Sequence, residues 1–324
     1  MKIKVEDRST NQNGTKKLNN YKKSEMLQRI YLNKFIYVLF IPIILQFIIF
    51  RYATLYGLKI AFLDYNVFDG YNSPWVGWKN FEVIFRSAFF PKLLKNTVIL
   101  SVMRIILGFP APIIIALLLN EMKNKFIRRT SQTLLYLPHF LNWVIIYGIF
   151  YILFNDFSGV VKHLFDMLGW KYVDFTTKPQ NMRLWLVLSG IWKGMGWGSI
   201  IYLAAISGIN TEMYESAIID GANRFKQIWY ITLPTIFPIM AIQLVLSTAS
   251  ILGEDLTQIF TFTRLNPILL ESVEVFETWI YQYGLQGGSF SVATAISLFQ
   301  TVVGLILTLI TNKIASKFGY EVLW

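Results

Sequence analysis

The sequence of 324 residues contains no cysteine and only two histidines, and charged residues make up just 15% of it. The absence of cysteine excludes a disulfide scaffold, a thiolate metal site and a cysteine nucleophile. With two histidines, a histidine-rich metal centre is not expected either. Soluble domains carry about 25% charged residues. A charge content this low therefore argues against a soluble enzyme, a disordered protein and a coiled coil.

Apolar residues take the place of the missing charges. Hydrophobic residues make up 54% of the chain and aromatic residues 16%, and the mean hydropathy is +0.46. A helix crosses the bilayer core with about 20 apolar residues. We predict an all-α integral membrane protein with six transmembrane helices, over residues 35–55, 96–119, 134–154, 184–208, 234–253 and 292–311.

The basic residues indicate the orientation of these spans. More than half of the 30 lysines and arginines fall before span one, after spans two and four, and after span six. The positive-inside rule places these segments, and so both termini, in the cytoplasm. We predict a basic cytoplasmic tail over residues 1–34, a six-helix transmembrane domain over 35–312, and a cytoplasmic tail over 313–324. The net charge of +11 then indicates contact with the lipid membrane and no nucleic-acid partner.

Residues 210–234, between predicted spans four and five, have the pattern of two short helices. Asn210 or Thr211 can cap the first helix, and Gly221 interrupts the apolar spacing. Pro234 is predicted to open the next span, where its missing N–H costs least. Such a pair of amphipathic turns can dock on another protein or rest on the lipid surface. Shape alone does not decide between the two.

The same stretch resembles the E-A-A motif of importer-type ABC transporter permeases. Glu215-Ser216-Ala217 is followed after three residues by Gly221, and nine residues later comes Ile231-x-Leu233-Pro234. Ser216 replaces the alanine that is usual at this position. Other segments are similar to oligosaccharide and polysaccharide permeases of the LplB-like group in the maltose-permease-like class: residues 73–77, 108–112, 136–140, 191–198, 284–288 and 319–324.

This resemblance implies a permease subunit of an ATP-driven importer of oligosaccharides or polysaccharide fragments in the bacterial cytoplasmic membrane. In that family, a second homologous permease completes a heterodimer, and an extracellular or periplasmic binding protein delivers the sugar. Two cytoplasmic ATPase subunits dock on the E-A-A loops, which carries an ATPase-coupling role over to Glu215, Ser216, Ala217, Asp220 and Gly221. Small residues allow close approach there, and carboxylates can meet basic groups across the interface.

Energy must come from that partner, because the sequence contains no G-x-x-x-x-G-K-[ST] phosphate-binding loop. ATP and Mg²⁺ are therefore assigned to the ATPase, and no cofactor, metal site or catalytic residue is expected in this chain. Two rival interpretations are a membrane glycosyltransferase-type enzyme and a standalone secondary transporter. The first needs a catalytic acidic cluster, and the second predicts inverted repeats and intramembrane acids. Both leave the E-A-A-like loop unexplained.

Sugar sites combine aromatic platforms with hydrogen-bonding groups in a cleft. Trp192, Lys193 and Trp197 in span four are candidates for the substrate pathway, since a lysine inside a span is costly unless it faces a cavity or a partner. The alternative is that Lys193 pairs within the heterodimer and that the neighbouring glycines only let helices approach closely.

The remaining pathway candidates are Glu254, Asp255, Asn142 with its neighbour Trp143, and Gln243. Glu254 and Asp255 resemble positions where maltose-type permeases place polar sugar contacts, but they could instead end span five in water. Asn142 and Gln243 could instead make interhelical hydrogen bonds. For Arg104 in span two, we favour a structural ion pair over a role in the pathway.

Overall fold

The computed structural model describes residues 32–172, 178–249 and 251–317, and these are helical without a named strand. Leu63 and Trp75 form an isolated antiparallel bridge. Almost all of the predicted basic tail over residues 1–34, and the end of the predicted tail over 313–324, lie outside the described residues. The described part of the chain divides into two compact units, with the boundary between Lys59 and Ile60.

The α-helices are numbered in chain order: α1 Lys34–Phe47, α2 Ala53–Leu55, α3 Lys79–Arg86, α4 Phe90–Met103, α5 Pro110–Glu121, α6 Lys125–Tyr136, α7 Trp143–Phe154, α8 Val160–Met167, α9 Pro179–Ser207, α10 Thr211–Ile219, α11 Arg224–Gln227, α12 Leu233–Ala249, α13 Leu256–Thr263, α14 Pro267–Val273, α15 Phe276–Trp279 and α16 Phe290–Lys317. π-helical turns lie at Ile48–Tyr52, Arg104–Gly108, Ile228–Thr232 and Ile280–Gln286, and 3-10 turns at Tyr56–Phe62, Gly70–Asn72 and Leu137–Phe140.

Four helical runs of the described residues are long and apolar enough to cross a membrane: Lys34–Phe62, Phe90–Glu121, Arg224–Ala249 and Phe290–Lys317. They correspond to predicted spans one, two, five and six. A bent pair of helices, Lys125–Phe140 and Trp143–Phe154, gives a fifth span if it is counted as one. The all-α membrane class is confirmed with four to five such helices.

The third predicted span, 134–154, is broken rather than continuous. Its two helical parts meet at 111°. Pro138 removes a backbone donor just before the break. Asn142 then caps α7, because its Oδ1 accepts a 2.9 Å hydrogen bond from the N–H of Ile145. A new helix therefore begins in a new direction.

Pro234 does not open span five, contrary to the prediction. The helical run begins ten residues earlier at Arg224, where Oδ1 of Asn223 accepts a 2.9 Å hydrogen bond from the N–H of Lys226. The π-helical turn Ile228–Thr232 lies directly before Leu233 and Pro234. A wider turn accommodates the ring and the missing N–H of a proline, so the helix continues through it.

The long helix α9 occupies the centre of the second unit. Its first half shares a buried cluster with α4, α7, α13 and α14, in which Leu186 and Ile259 are fully buried. Its second half shares another with α5 and α12, around Ala116 and Ile236. A third cluster joins α3, α4, α15 and α16. Helix α9 is therefore covered mainly by protein, whereas α1 in the first unit has no buried residue.

Gly196 lets α9 touch α6. A Cβ atom added there would lie 2.0 Å from the backbone oxygen of Leu135, whereas a Cβ added at Gly194 would meet nothing within 4 Å. We therefore expect Gly196→Ala to lower the free energy of unfolding by about 1–3 kcal/mol through overpacking. The matched variant Gly194→Ala should be neutral or stabilising, since alanine favours helices more than glycine does.

Thermal unfolding in detergent, followed by tryptophan fluorescence, measures both variants. Equal melting temperatures for Gly196→Ala and Gly194→Ala would contradict the close contact between α9 and α6.

Candidate functional site

A cavity of about 340 Å³ lies beside the middle of α9. Gly190 and Gly194 of α9 contribute no side chain to it, which widens the space. Its polar lining consists of Arg104 from the π turn after α4 and of Asp255 and Gln258 at the start of α13. The indole of Trp143 adds an aromatic wall. An aromatic surface with a few converging polar groups is the arrangement of a binding cleft for a small polar ligand.

Arg104 is held between two acceptors. Its Nη1 lies 2.7 Å from Oε2 of Glu254, and its Nη2 donates a 2.7 Å hydrogen bond to Oε1 of Gln258. Gln258 in turn donates from Nε2 to the backbone oxygen of Leu186, at 2.7 Å, and to Oγ of Ser189, at 2.9 Å. This network ties the segments before and within α13 to both α9 and the π turn after α4.

Glu254 is the carboxylate partner of Arg104 in this network. Its side chain is 1% exposed, so its charge is stabilised by the guanidinium and not by bulk water. Glu254 and Arg104 also line a second cavity of about 220 Å³, together with Ser101. Ser101 donates from Oγ to the backbone oxygen of Ile251. The ion pair thus forms a shared wall between two cavities.

Asp255 is exposed to the cleft and makes two contacts. Its Oδ1 accepts a 3.1 Å hydrogen bond from the N–H of Gln258, which caps α13. Its Oδ2 accepts from Nε1 of Trp143. Since each carboxylate oxygen has two lone pairs, both oxygens keep acceptor capacity for a hydroxyl group.

The side chain of Lys193, in α9, reaches the break between α6 and α7. Its Nζ donates to the backbone oxygen of His139 at 3.1 Å and to that of Leu141, and it lies 5.1 Å from the ring centroid of Trp143. Trp197 stacks on His139 with a centroid distance of 4.6 Å and an interplanar angle of 4°. The structure therefore places Lys193 and Trp197 against the broken helix.

The other pathway candidates lie apart from the polar lining of the two cavities. Trp192 packs edge-on against Phe150 at 5.8 Å, beside the buried cluster of α7 and α9. The side-chain oxygen of Asn142 is used to cap α7. Gln243 lies within α12, half-buried. Of the predicted candidates, Trp143 and Asp255 line the larger cavity and Glu254 the smaller one.

Gln258 is the cleft residue that sequence reasoning missed. The sequence did contain an indication, because Gln258 is a polar residue within the apolar run of α13. Its role nevertheless depends on Arg104, 154 residues earlier in the chain. Among the described residues, no group of three or more histidines or carboxylates is placed to hold a metal ion.

The second feature is the E-A-A-like loop, and its geometry has the predicted two-helix form. Asn210 caps α10 by accepting a 3.1 Å hydrogen bond from the N–H of Glu212. The helix ends at Ile219, and Gly221 has a φ of 75°, a left-handed conformation that glycine adopts without strain. Of the predicted coupling residues, Ala217 is half-buried. The others are exposed: Glu215, Ser216, Asp220 and Gly221.

Hydrogen bonds fix this loop to the helical run that follows it. The hydroxyl groups of Tyr214 and Thr232 lie 2.9 Å apart. Gln227, which is 3% exposed, donates from Nε2 to the backbone oxygen of Ala222 at 3.0 Å and accepts from Arg224 at 3.1 Å. The contact between Tyr214 and Thr232 therefore connects α10 with the helical run after Gly221, and the bonds of Gln227 hold the start of that run against Ala222.

Apolar side chains are exposed on both parts of the loop. Ile219 is 86% exposed at the end of α10. In the run that begins with α11, Phe225 is 72% exposed and stacks on Trp229 with ring centroids 6.4 Å apart. Exposed apolar groups beside exposed carboxylates are typical of a surface that binds another protein.

Comparison with known proteins places these features in context. A family profile described as "binding-protein-dependent transport system inner membrane component" matches residues 108–316. The chain is similar to protein LplB of Bacillus subtilis (strain 168), with 39% identity over 89% of this chain and 91% of that protein. It is 37% identical to the polygalacturonan/rhamnogalacturonan transport system permease protein YteP of the same organism, over 93% of each chain.

A solved structure is similar as well. It is a chain of a bacterial ABC transporter involved in the import of the acidic polysaccharide alginate, with a TM-score of 0.81 and 37% identity. The similarity covers 90% of the present chain and 99% of that chain.

The ion pair between Arg104 and Glu254 gives a testable expectation. Arg104→Met leaves a buried carboxylate without its cation, so the free energy of unfolding should fall by about 3–5 kcal/mol. Glu254→Gln should cost less, because 29% of the Arg104 side chain is exposed. The double variant Arg104→Met/Glu254→Gln should recover much of the stability lost by Arg104→Met, since it buries no unpaired charge.

Unfolding of the purified variants in detergent measures this coupling as a double-mutant cycle. Losses that simply add in the double variant would show that the two side chains do not depend on each other.

Proposed function

Starting from the fact that the chain belongs to the family of binding-protein-dependent transport system inner membrane components, we propose how its loop and its cleft work. The chain is a membrane permease subunit of an ABC importer of oligosaccharides. It is not an enzyme, and its ATPase is a separate partner. The alternatives of a glycosyltransferase-type enzyme and a standalone secondary transporter have no support in the family.

The proposed topology has six spans in the bacterial membrane, with both termini in the cytoplasm. Helix α9 is the proposed fourth span, which the sequence predicted over residues 184–208. It is 29 residues long, but it is not among the four long apolar runs, and it carries Arg183 and Lys193. Both cations have acceptors, since Arg183 donates to the backbone oxygen of Ser272 at 2.8 Å and Lys193 to the carbonyls at the helix break. A span that is covered by protein can hold such groups.

The loop over residues 210–234 is the proposed docking site for the ATPase. One observation carries this proposal: the loop is exposed and has the residue spacing of the family's E-A-A motif. It is also hydrogen-bonded to the following span through Tyr214 and Gln227. Closure of the ATPases on ATP would move α10, and the bonded run over residues 224–249 would move with it. A second homologous permease provides the other half of the pathway, and the binding protein delivers the sugar from outside.

The cavity of about 340 Å³ is the proposed part of the sugar pathway that this subunit contributes. Asp255 and Gln258 offer hydrogen bonds to hydroxyl groups, and Trp143 offers an apolar face. Glu254 contributes indirectly, because it holds Arg104 in place. Lys193 supports the aromatic wall of the cleft, since its Nζ lies 5.1 Å from the ring centroid of Trp143.

The assembly itself is tested by purifying the tagged chain in mild detergent and identifying the co-purifying proteins by mass spectrometry. We expect a second, similar permease and an ATPase at about two copies per complex. Recovery of the chain alone, stable and without an ATPase, would contradict the proposed docking role of the loop.

The docking assignment is tested by Gly221→Arg. Arginine disfavours the left-handed backbone at this position and places a large cation on the proposed interface. We expect the variant to reach the membrane but to lose the co-purifying ATPase, so that uptake falls to that of cells without the ATPase.

The matched control is Gly169→Arg. Gly169 also has a positive φ, of 67°, and open space around its Cβ position, but it lies after α8 and outside the loop. Normal uptake by the Gly221 variant, or an equal loss in the Gly169 variant, would contradict the assignment.

A further inference from the structure

An aromatic row leads away from the cleft along α7. Trp143, Tyr147 and Tyr151 follow one another at intervals of four residues, which places them on one face of the helix. Helix α13 runs beside this face: Asp255 at its start bonds to Trp143, and Phe262 near its end packs edge-on against Tyr147 at 5.3 Å. The row therefore connects the cavity with the far end of α13.

Arg264 lies where that row ends. Its guanidinium carbon is 5.0 Å from the ring centroid of Tyr147 and 5.5 Å from that of Tyr151. The residue is exposed, and it makes no ion pair with any carboxylate in residues 32–172, 178–249 or 251–317. Within those ranges no carboxylate balances its positive charge, unlike that of Arg104.

The backbone at this point is unusual. Arg264 has a φ of 49° and Leu265 a φ of 57°, both in the left-handed region. Residues with a side chain larger than that of asparagine rarely adopt this conformation, and they cluster at functional sites where the surrounding structure holds them. Here the conformation ends α13 and coincides with the placement of the guanidinium beside the two tyrosines.

The guanidinium has five N–H donors in one plane. A pair of these donors can match the two oxygens of a carboxylate while another bonds to the Tyr147 hydroxyl. Tyr151, which is 38% exposed, adds apolar ring surface, and its hydroxyl can bond to the hydroxyl groups of a sugar. The combination fits a sugar ring that bears a carboxylate.

We propose that Arg264, together with Tyr147 and Tyr151, forms a binding site for the carboxylate of an anionic oligosaccharide at the approach to the cleft. The inference rests on the proposed function, because it concerns the sugar that this subunit's pathway admits. It makes Arg264 a specificity-determining residue that separates uronate-containing oligosaccharides from neutral ones.

The experiment measures uptake by the whole transporter in cells, with short oligogalacturonates and oligoalginates as acidic probes and their carboxyl-reduced forms as neutral counterparts. Arg264→Asn removes the charge while retaining a residue that tolerates the left-handed backbone. We expect it to raise the KM for the acidic probes by about 10- to 100-fold, the equivalent of one charge-assisted contact, and to leave uptake of the neutral forms unchanged.

Two further variants separate this role from a structural one. Arg264→Lys keeps the charge but loses the planar pair of donors, so its KM for acidic probes should lie between those of the wild type and Arg264→Asn. Arg86→Asn, the matched control, removes an exposed arginine that already pairs with Glu82 at 2.7 Å, and it should change neither series.

Several results would overturn the inference. An unchanged KM for acidic probes in Arg264→Asn, or an equal loss for acidic and neutral probes, excludes carboxylate recognition by Arg264. Uptake of only the neutral forms by the wild-type transporter also excludes carboxylate recognition by Arg264, but it leaves the proposed importer function intact. Uptake of neither series by the wild type would contradict both.

Discussion

The ammonium group of Lys193 and the carbonyl groups at the break between α6 and α7 satisfy one another inside the helix bundle. Each would be costly alone, since a lysine in a bundle needs acceptors and the end of a helix leaves carbonyls without donors. Together they hold α9 against the break, where the Asn142 cap starts α7. Because α7 carries the aromatic row beginning at Trp143, this contact positions the aromatic wall of the cleft.

The Arg104 network adds the second constraint on the cleft. Glu254 and Gln258 hold the guanidinium from two sides, and Gln258 continues the network into α9 through Leu186 and Ser189. A charged group fixed in this way is preorganised, so it does not have to be ordered when a ligand arrives. Both cavities are lined by Arg104, so this one guanidinium is part of the wall of each.

The loop over residues 210–234 differs from the cleft, because one of its sides is exposed and the other is bonded to the protein. Its outer surface is exposed and partly apolar, but its inner side is bonded to the fifth span through Tyr214 and Gln227. A docking element has to be accessible to its partner and also rigid enough to transmit a displacement. The buried amide of Gln227, which bridges Arg224 and the carbonyl of Ala222, provides the second property.

The sequence by itself determined the features that depend on neighbours along the chain. Apolar length gave the membrane class and most of the spans, and the spacing from Glu215 to Pro234 gave the loop and its turn at Gly221. Caps such as Asn210 and Asp255 also follow from local rules. These features are local because a helix and its ends are set by bonds between residues three to five positions apart.

Only the tertiary structure decided the partners of the charged groups and the direction of the broken helix. Lys193 meets acceptors more than 50 residues earlier in the chain, and Arg104 meets residues 150 and more positions later. The left-handed backbone of Arg264 and its place over Tyr147 and Tyr151 likewise depend on how α13 packs against α7. No local pattern encodes such pairs, because a charge within an apolar run indicates that a partner must exist but not where the fold will supply it.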